Sequence, residues 1–174
     1  GPMGEFRVIM QAILRVFNES RRYVYVQTPY FIPNETLGVT LRIAALAGVD
    51  VRLIIPRRDD VNMVVTFASR SYIKDLLEAG VKVYFYEKGF MHAKTVVADD
   101  AVCSIGSTNL DIRSFEQDFE INAFIYDRNM AVRMRELFME DLEGCSQVDP
   151  EQWAQRPKLK QFAESVARLC SPLL

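Results

Sequence analysis

Two similar pentapeptides indicate the fold of this chain, Ala-Gly-Val-Asp-Val at residues 47–51 and Ala-Gly-Val-Lys-Val at residues 79–83. In each, a glycine suited to the end of a helix is followed by residues typical of the start of a strand. Strands that alternate with helices are predicted at residues 23–27, 51–55 and 82–86. This alternation favours parallel pairing of the strands, with helices covering the sheet.

The second half of the chain has a different order of predicted strands and helices. Residues 94–98 and 101–105 predict two strands joined in a hairpin at Asp99 and Asp100, and residues 121–126 predict a further strand. Because hairpin strands pair antiparallel while the earlier strands favour parallel pairing, the sheet is expected to be mixed. We therefore predict an α/β fold, with a mixed, largely buried β-sheet flanked by helices on both faces.

Helical spacing of apolar residues predicts the helices and the extent of the domain. Asn34 is a suitable N-cap and Gly48 a suitable end for the second helix. Residues 150–174 form a tail that is mostly helical, with a break near Pro157. We expect residues 1–6 to be the remnant of an expression tag and residues 7–174 to form a single domain. The other helices are predicted at residues 8–17 and 130–142 and before residue 80.

The composition limits the classes of function. The 21 basic and 23 acidic residues give a net charge of −2, which does not favour binding to nucleic acid. No apolar run approaches the roughly 18 residues of a membrane span. The three cysteines show neither a disulfide framework nor the spacing of metal ligands. We expect no metal and no cofactor.

Three polar pairs lie at the edges of apolar strands, and residues two apart on a strand point to the same side. Lysine, hydroxyl and amide groups donate hydrogen bonds to phosphate oxygens, and histidine can act as nucleophile or as general acid and base. If the strands adjoin, these groups gather at one phosphoryl group without needing a metal. The pairs are His92 and Lys94, Ser107 and Asn109, and Glu120 and Asn122.

Each of these residues also has an ordinary structural interpretation. A lone histidine at the start of a strand is commonly structural, and a lysine at such an edge is commonly a solvated charge. Ser107 with Asn109, and Asp99 with Asp100, are typical of turns. The three pairs are less expected by chance together than singly, but the residues alone leave a structural and a functional interpretation equally open.

The spacing of these residues resembles the HKD signature of the phospholipase D superfamily. The signature runs from His92 and Lys94 through Asp99 to Gly106-Ser107-Thr108-Asn109. Flanking segments resemble the C-terminal half of bacterial cardiolipin synthases, at residues 27–33, 89–95, 111–116, 119–127 and 169–174.

The resemblance implies a role for each residue of the candidate site. Lys94 and Asn109 would bind the substrate phosphate with support from Ser107, and His92 would act as general acid and base. Glu120 would orient the histidine of a second, opposite half. Asp99 belongs to the motif's catalytic set, and within that set we expect it to tie down the hairpin rather than touch substrate.

The resemblance also implies an incomplete enzyme. Members of the family build one active site from two such halves, and this chain holds a single histidine. We expect the isolated chain to be inactive unless it pairs with the N-terminal half of the same enzyme or with a second copy as a homodimer. The full-length protein would lie at the bacterial cell membrane, with this fragment soluble, and its substrate would be phosphatidylglycerol.

Apolar side chains near the motif predict contacts with lipid. Tyr30, Phe31, Phe90 and Phe115 are candidates, with packing in the core or at an interface as the alternative. In the C-terminal helix, a stripe of Leu159, Phe162, Val166 and Leu169 would either lie on an anionic membrane or pack on its own domain. We favour packing on the domain.

Four functions remain open from the sequence. The resemblance favours phosphatidyl transfer from one phosphatidylglycerol to another, which yields cardiolipin and glycerol through a phosphohistidine intermediate. A phospholipase D-type hydrolase would use water as the acceptor instead of a lipid alcohol. A nuclease on the same fold would need a basic groove, and a catalytically silent half-domain would serve assembly only.

Overall fold

The computed structural model describes residue 4 and residues 6–57 and 63–171. Among these residues the chain forms two β-sheets, one of seven strands and one of two. In chain order the strands are β1 (Tyr23–Gln27), β2 (Phe31–Ile32), β3 (Asp50–Pro56), β4 (Lys82–Tyr86), β5 (Thr95–Ala98), β6 (Val102–Gly106), β7 (Leu110–Asp111), β8 (Asn122–Ile125) and β9 (Cys145–Gln147).

The larger sheet is mixed, with the order β8-β6-β5-β1-β3-β4-β9. Strands β1, β3 and β4 pair in parallel, as the two pentapeptides predicted. Strands β5, β6 and β8 continue the sheet in antiparallel pairs, with β5 hydrogen-bonded to β1. Strand β9 pairs antiparallel with β4 at the other edge and was not predicted.

Helices cover both faces of the sheet. Side chains alternate along β1, so that Val24 and Val26 pack into one apolar cluster while Tyr23 and Tyr25 pack into another. The first cluster includes residues of the helices at Val8–Glu19, Glu35–Leu46 and Ile73–Glu78, and the second includes residues of the helix at Arg128–Leu142. The prediction of a buried, mixed sheet between helices is therefore confirmed. The helices are α1 (Val8–Glu19), α2 (Glu35–Leu46), α3 (Met63–Ser71), α4 (Ile73–Glu78), α5 (Ile112–Glu116), α6 (Arg128–Leu142), α7 (Pro150–Ala154) and α8 (Lys158–Leu169).

Local capping explains where the helices of the parallel half begin and end. Asn34 Oδ1 accepts a hydrogen bond of 3.0 Å from the backbone N–H of Leu37 at the start of α2. Gly48 and Gly80 follow α2 and α4 with φ of 90° and 89°, which is left-handed backbone that favours glycine. The sequence predicted all three signals, the start of α2 at Asn34 and the ends of α2 and α4 at Gly48 and Gly80.

The tail consists of α7 and α8, separated around Pro157 as predicted. Helix α8 packs along α3, and Arg156 between the two tail helices forms an ion pair of 2.7 Å with Glu164. The described residues contain no helix long and apolar enough to cross a membrane. Residues 1–3, 5 and 172–174, which include most of the expected tag remnant and the end of the tail, lie outside the described residues.

Candidate active site

The polar pairs meet at one end of the larger sheet because of its strand directions. Gln27, the last residue of β1, pairs with Thr95, the first residue of β5. Thr95 in turn pairs with Ile105 near the end of β6, and Gly106 pairs with the first residue of β8. The segments that leave or enter these strands at this end carry His92, Lys94, Ser107, Asn109 and Glu120.

His92 and Lys94 lie in the segment just before β5 and contact each other. Lys94 Nζ is 3.3 Å from His92 Nδ1 and 3.2 Å from Nε2, and it donates a hydrogen bond of 3.1 Å to the His92 carbonyl oxygen. Burial, together with the positive charge of Lys94, lowers the pKa of His92 below its ordinary value. This environment therefore favours the neutral imidazole over the charged one.

Lys94 lies in a partly desolvated position, close enough to two carboxylates for their charges to act on it. Burial lowers the pKa of the Lys94 ammonium, and the negative charges of Glu120 and Asp111 oppose that shift. An anion that binds beside Lys94 would further stabilise the charged ammonium and replace part of the hydration that the ammonium loses on burial. The position therefore suits a cation that binds a phosphate.

Ser107 and Glu120 are joined across the open end of β6 and β8. The Ser107 hydroxyl donates a short hydrogen bond to Glu120 Oε2 and accepts one of 3.0 Å from the Ile121 backbone N–H. Gly106 allows this approach, because a Cβ there would overlap Asn122 Oδ1 and the Ile121 carbonyl oxygen. No hydrogen bond is found between Glu120 and His92 among the described contacts, which leaves the second oxygen of Glu120 for another group.

Asn109 joins the cluster through Asp111. The Asn109 side chain hydrogen-bonds Asp111, while Asn109 Oδ1 and the neighbouring Thr108 Oγ1 are buried without a partner among the described residues. Burial raises the pKa of Asp111, although hydrogen bonds from Ser114 and Asn109 oppose the rise. Two buried polar atoms without partners at one place are uncommon, and they typically mark a site that a ligand or water completes.

Two further residues hold the site, and the sequence did not assign them. Asp111 is buried beside Lys94 and caps α5 by accepting a 2.7 Å hydrogen bond from the Ser114 N–H. The Thr28 hydroxyl donates to the Tyr30 carbonyl oxygen at 2.8 Å and accepts from the Leu110 N–H at 3.2 Å. Aspartate is a preferred N-cap residue, and this preference would have found Asp111 as a structural residue.

The four predicted lipid contacts divide into two groups. Tyr30 and Phe90 lie around the imidazole, with ring centroids 6.4 Å and 5.5 Å from that of His92. Phe31 and Phe115 are buried in the main apolar core, so the prediction that they contact lipid is wrong. The pairing of β2 with β7 turns Phe31 inward, which its neighbours in sequence do not indicate.

Asp99 is not brought to the cluster. It lies beyond the other end of β5, about 16 Å from Lys94 at the usual rise of a strand. Its carboxylate accepts hydrogen bonds of 2.6, 2.9 and 2.9 Å from the backbone N–H groups of residues 21, 22 and 23. Its place among the catalytic residues is therefore corrected to a structural one, as the hairpin interpretation expected.

The cluster can bind and polarise a phosphoryl group on an open surface. His92 and Ser107 are exposed, and Lys94 and Asn109 are partly buried. Among the described residues, no group of three or more His, Cys, Asp or Glu side chains could hold a metal ion. A cavity of about 470 Å³ lies elsewhere, between α2, α4 and α8, and none of the predicted site residues lines it.

The sequence is similar to known bacterial proteins along its whole length. The family described as "Cardiolipin synthase, PLD-like domain" matches residues 13–142. The cardiolipin synthase of Geobacillus kaustophilus (strain HTA426) is 47% identical over 174 residues, which are 100% of this chain and 34% of that protein. The major cardiolipin synthase ClsA of Bacillus subtilis (strain 168) is 45% identical, again over 100% of this chain and 36% of that protein. The chain thus spans about a third of the length of these relatives.

Solved structures share the fold. The phosphatidylserine synthase of Haemophilus influenzae Rd KW20 superposes with a TM-score of 0.75 and 20% identity, over 100% of this chain and 46% of that one. The phospholipase D family member Nuc of Salmonella typhimurium gives a TM-score of 0.68 and 17% identity, over 80% of this chain and 90% of that one. At these identities the likeness concerns the fold, and it confirms the predicted phospholipase D-like fold with a mixed sheet between helices.

Proposed function

Because this chain belongs to the cardiolipin synthase family of phospholipase D-like domains, we propose that it is one catalytic half of an enzyme that transfers phosphatidyl groups between phospholipids. The observation that carries the proposal is the gathering of His92, Lys94, Ser107, Asn109 and Glu120 at one end of one sheet. The substrate is phosphatidylglycerol, and the products are cardiolipin and glycerol.

The donors of the cluster would hold the phosphodiester. The Lys94 ammonium faces the non-bridging oxygens, and the side chains of Asn109 and Ser107 complete the hydrogen bonds. As negative charge builds on these oxygens in the transition state, donors that are already in place stabilise it without reorganising. The partly desolvated position of Lys94 strengthens this interaction, since the charge is less screened by water.

His92 would move the proton in both half-reactions. A histidine of the second half attacks phosphorus and displaces the glycerol oxygen, which takes its proton from His92. In the second half-reaction, neutral His92 takes the proton from a hydroxyl of the next phosphatidylglycerol while its oxygen displaces the histidine nitrogen from phosphorus. A bound phosphodiester anion offsets the charge of Lys94, so it raises the pKa of His92 when a proton is needed there.

The second half would cover the edge of the sheet at β8. Two histidines are needed at one phosphate, and this chain has one. Strand β8 is an edge strand, and the apolar side chains of Phe119 and Ile121 on either side of Glu120 are strongly exposed. Exposed apolar side chains that border an incomplete site suit an interface with a protein. The remainder of the enzyme or a second copy of this chain would supply the missing histidine.

The test measures the products formed from labelled phosphatidylglycerol. This chain is assayed alone and after replacing the corresponding third of the full-length Geobacillus kaustophilus relative. We expect little or no turnover alone, and cardiolipin with glycerol from the chimaera. Phosphatidic acid as the main product would instead assign a hydrolase, and a chimaera that releases neither product would overturn the proposal in favour of a silent half.

Two controls complete this test. A chimaera with His92→Ala should lose the activity, while Lys74→Ala on the distant helix α4 should keep it. Acid-quenched protein is also examined for labelled phosphohistidine. Label on His92 itself would assign His92 the role of nucleophile instead of general acid and base. The mass of the free chain in solution shows whether it forms a dimer.

A further inference from the structure

Helix α8 turns its most apolar face away from the rest of the protein. Its stripe, defined as Leu159, Phe162, Val166 and Leu169, is 47–81% exposed. On the opposite side of the helix, Glu164 and Ala167 are only 2% and 6% exposed. A helix on the surface of a globular protein normally buries its apolar stripe. The prediction that this stripe packs on its own domain is therefore wrong.

The buried side of α8 holds the helix in this orientation. Both terminal nitrogens of the Arg156 guanidinium donate to the Glu164 carboxylate, at 2.7 and 2.9 Å. Arg156 also lies 3.3 Å from the centre of the Trp153 ring. Turning the stripe inward would carry Glu164 away from Arg156, so this buried ion pair and the packing of Ala167 in the interior would both be lost. The outward stripe is thus a fixed feature of the fold.

The charges on α8 are complementary to an anionic surface. Glu164 is the acidic residue of the helix, and Arg156 neutralises it in the interior. The exposed charged residues of the helix are all basic, namely Lys158, Lys160 and Arg168, of which Arg168 also pairs with Asp75 at 3.1 Å. An apolar stripe flanked by basic residues is the pattern of helices that lie in the interface of anionic membranes.

The helix lies toward the end of the sheet that carries the candidate active site. Ala167 of α8 packs in one apolar cluster with Ile32 of β2 and Ile112 of α5. Ile32 pairs with Asp111, the carboxylate whose charge acts on Lys94. Helix α8 is therefore anchored near the end of the sheet where His92 and Lys94 lie.

We propose that the outer face of α8 docks on a bilayer surface of anionic phospholipid. The stripe inserts at the boundary of headgroups and acyl chains, and Lys158 and Lys160 contact lipid phosphates. This deepens the proposed function, on which it rests, by naming the element that brings the site to its lipid substrate. The second half of the enzyme is assigned to the β8 edge, which leaves this face for lipid.

Sedimentation of the chain with vesicles tests the proposal. We expect binding to vesicles of phosphatidylglycerol mixed with phosphatidylcholine, and much weaker binding to phosphatidylcholine alone. Leu159→Glu or Leu169→Glu should weaken the binding about tenfold or more, because each removes an inserted side chain and adds a repelled charge. The matched control is Leu46→Glu, at a leucine of α2 that is 72% exposed, with a change below about twofold.

The basic residues are tested in the same assay. Lys158→Ala and Lys160→Ala should each weaken binding about fivefold at physiological salt, while Lys74→Ala on α4 should leave it unchanged. Equal losses in Leu46→Glu and the stripe variants would overturn the proposal. So would stripe variants that bind vesicles normally but lose an oligomer in solution, which would assign the face to a protein interface. The assay involves no turnover, so a failed cardiolipin assay leaves its result independent.

Discussion

The β5–β6 hairpin has polar residues of one motif at both of its ends, and the two ends are bonded differently. At the turn, Asp99 accepts three backbone hydrogen bonds from residues 21–23. Its neighbour Asp100 forms ion pairs of 2.8 Å with Arg22 and Arg135. Although burial alone would raise it, hydrogen bonds from Arg22 and Tyr23 hold the pKa of Asp100 below its ordinary value.

At the open end of the same hairpin, the polar groups are only partly engaged. Asn109 Oδ1 and Thr108 Oγ1 have no partner among the described residues, and the pKa of Lys94 is lowered by burial. This difference separates structural from functional residues within one motif. Groups whose hydrogen bonds are complete stabilise the fold, whereas groups left incomplete at a shared position are available to a ligand.

The largest expected effect is the loss of activity on changing the open end. In the chimaera described above, His92→Ala should lower the rate of cardiolipin formation about 1,000-fold or more, because both proton transfers lose their group. Its unfolding should be unchanged, since the imidazole is exposed. The measurement is the initial rate per mole of folded enzyme. Asp99→Ala should keep most of that rate, and a comparable loss there would remove the distinction between the two ends.

The next largest effect is on the stability of the fold and comes from the turn between β5 and β6. Asp99→Ala should lower the free energy of unfolding by about 3 kcal/mol, because three backbone N–H groups lose a charged acceptor. Alanine also tolerates the φ of 56° at this position poorly. Urea unfolding of the isolated chain measures the change. Asp99→Asn keeps an acceptor and the left-handed backbone and should lose clearly less; equal losses would indicate that the carboxylate bonds contribute little.

A smaller effect compares two asparagines. Asn109→Ala should change the free energy of unfolding by less than about 1 kcal/mol, because part of its amide is unsatisfied already. Asn34→Ala, which removes the N-cap of α2, should cost about 1 kcal/mol or more. Urea unfolding compares the two variants. A larger cost at Asn109 would show that its side chain serves the fold rather than the ligand.

The smallest effect concerns the titration of His92, whose NMR signals are unambiguous in a chain with one histidine. Its pKa should lie below about 6.5 and rise in Lys94→Met, because the neighbouring charge is removed while burial remains. Lys74→Met should not move it. Since the unfolded state binds the proton more tightly, the free energy of unfolding should fall as the pH drops below about 6.5, and His92→Ala should remove this dependence.

Much of the fold could be predicted because its signals are local. The strands at residues 23–27 and 82–86 have the predicted bounds. Asn34 begins α2, and Gly48 and Gly80 follow the ends of α2 and α4, as expected. The two-residue strands β2 and β7 could not be predicted, because they exist only through pairing between segments distant in sequence. That pairing buries Phe31. Because the sequence does not show the pairing, it places Phe31 among the candidate lipid contacts.

The candidate site shows the same division. The spacing of His92, Lys94, Ser107 and Asn109 follows from two strands and a turn, so their common end could be predicted. The contribution of Asp111 to the site could not be predicted, because it depends on the burial of its carboxylate rather than on spacing in the sequence. The stripe on α8 was found from its helical period, but a period does not tell what the face meets. Its direction is set by the buried pair of Arg156 and Glu164.

The antiparallel order of β5, β6 and β8 has a consequence for how the molecule folds. All predicted polar groups of the site come from residues 92–122, which close on one another through short loops. Closing short loops costs little chain entropy and is fast, whereas the parallel crossovers between β1, β3 and β4 join distant segments and are slow. The chemistry of this chain is therefore expected to assemble before the sheet that supports it is complete.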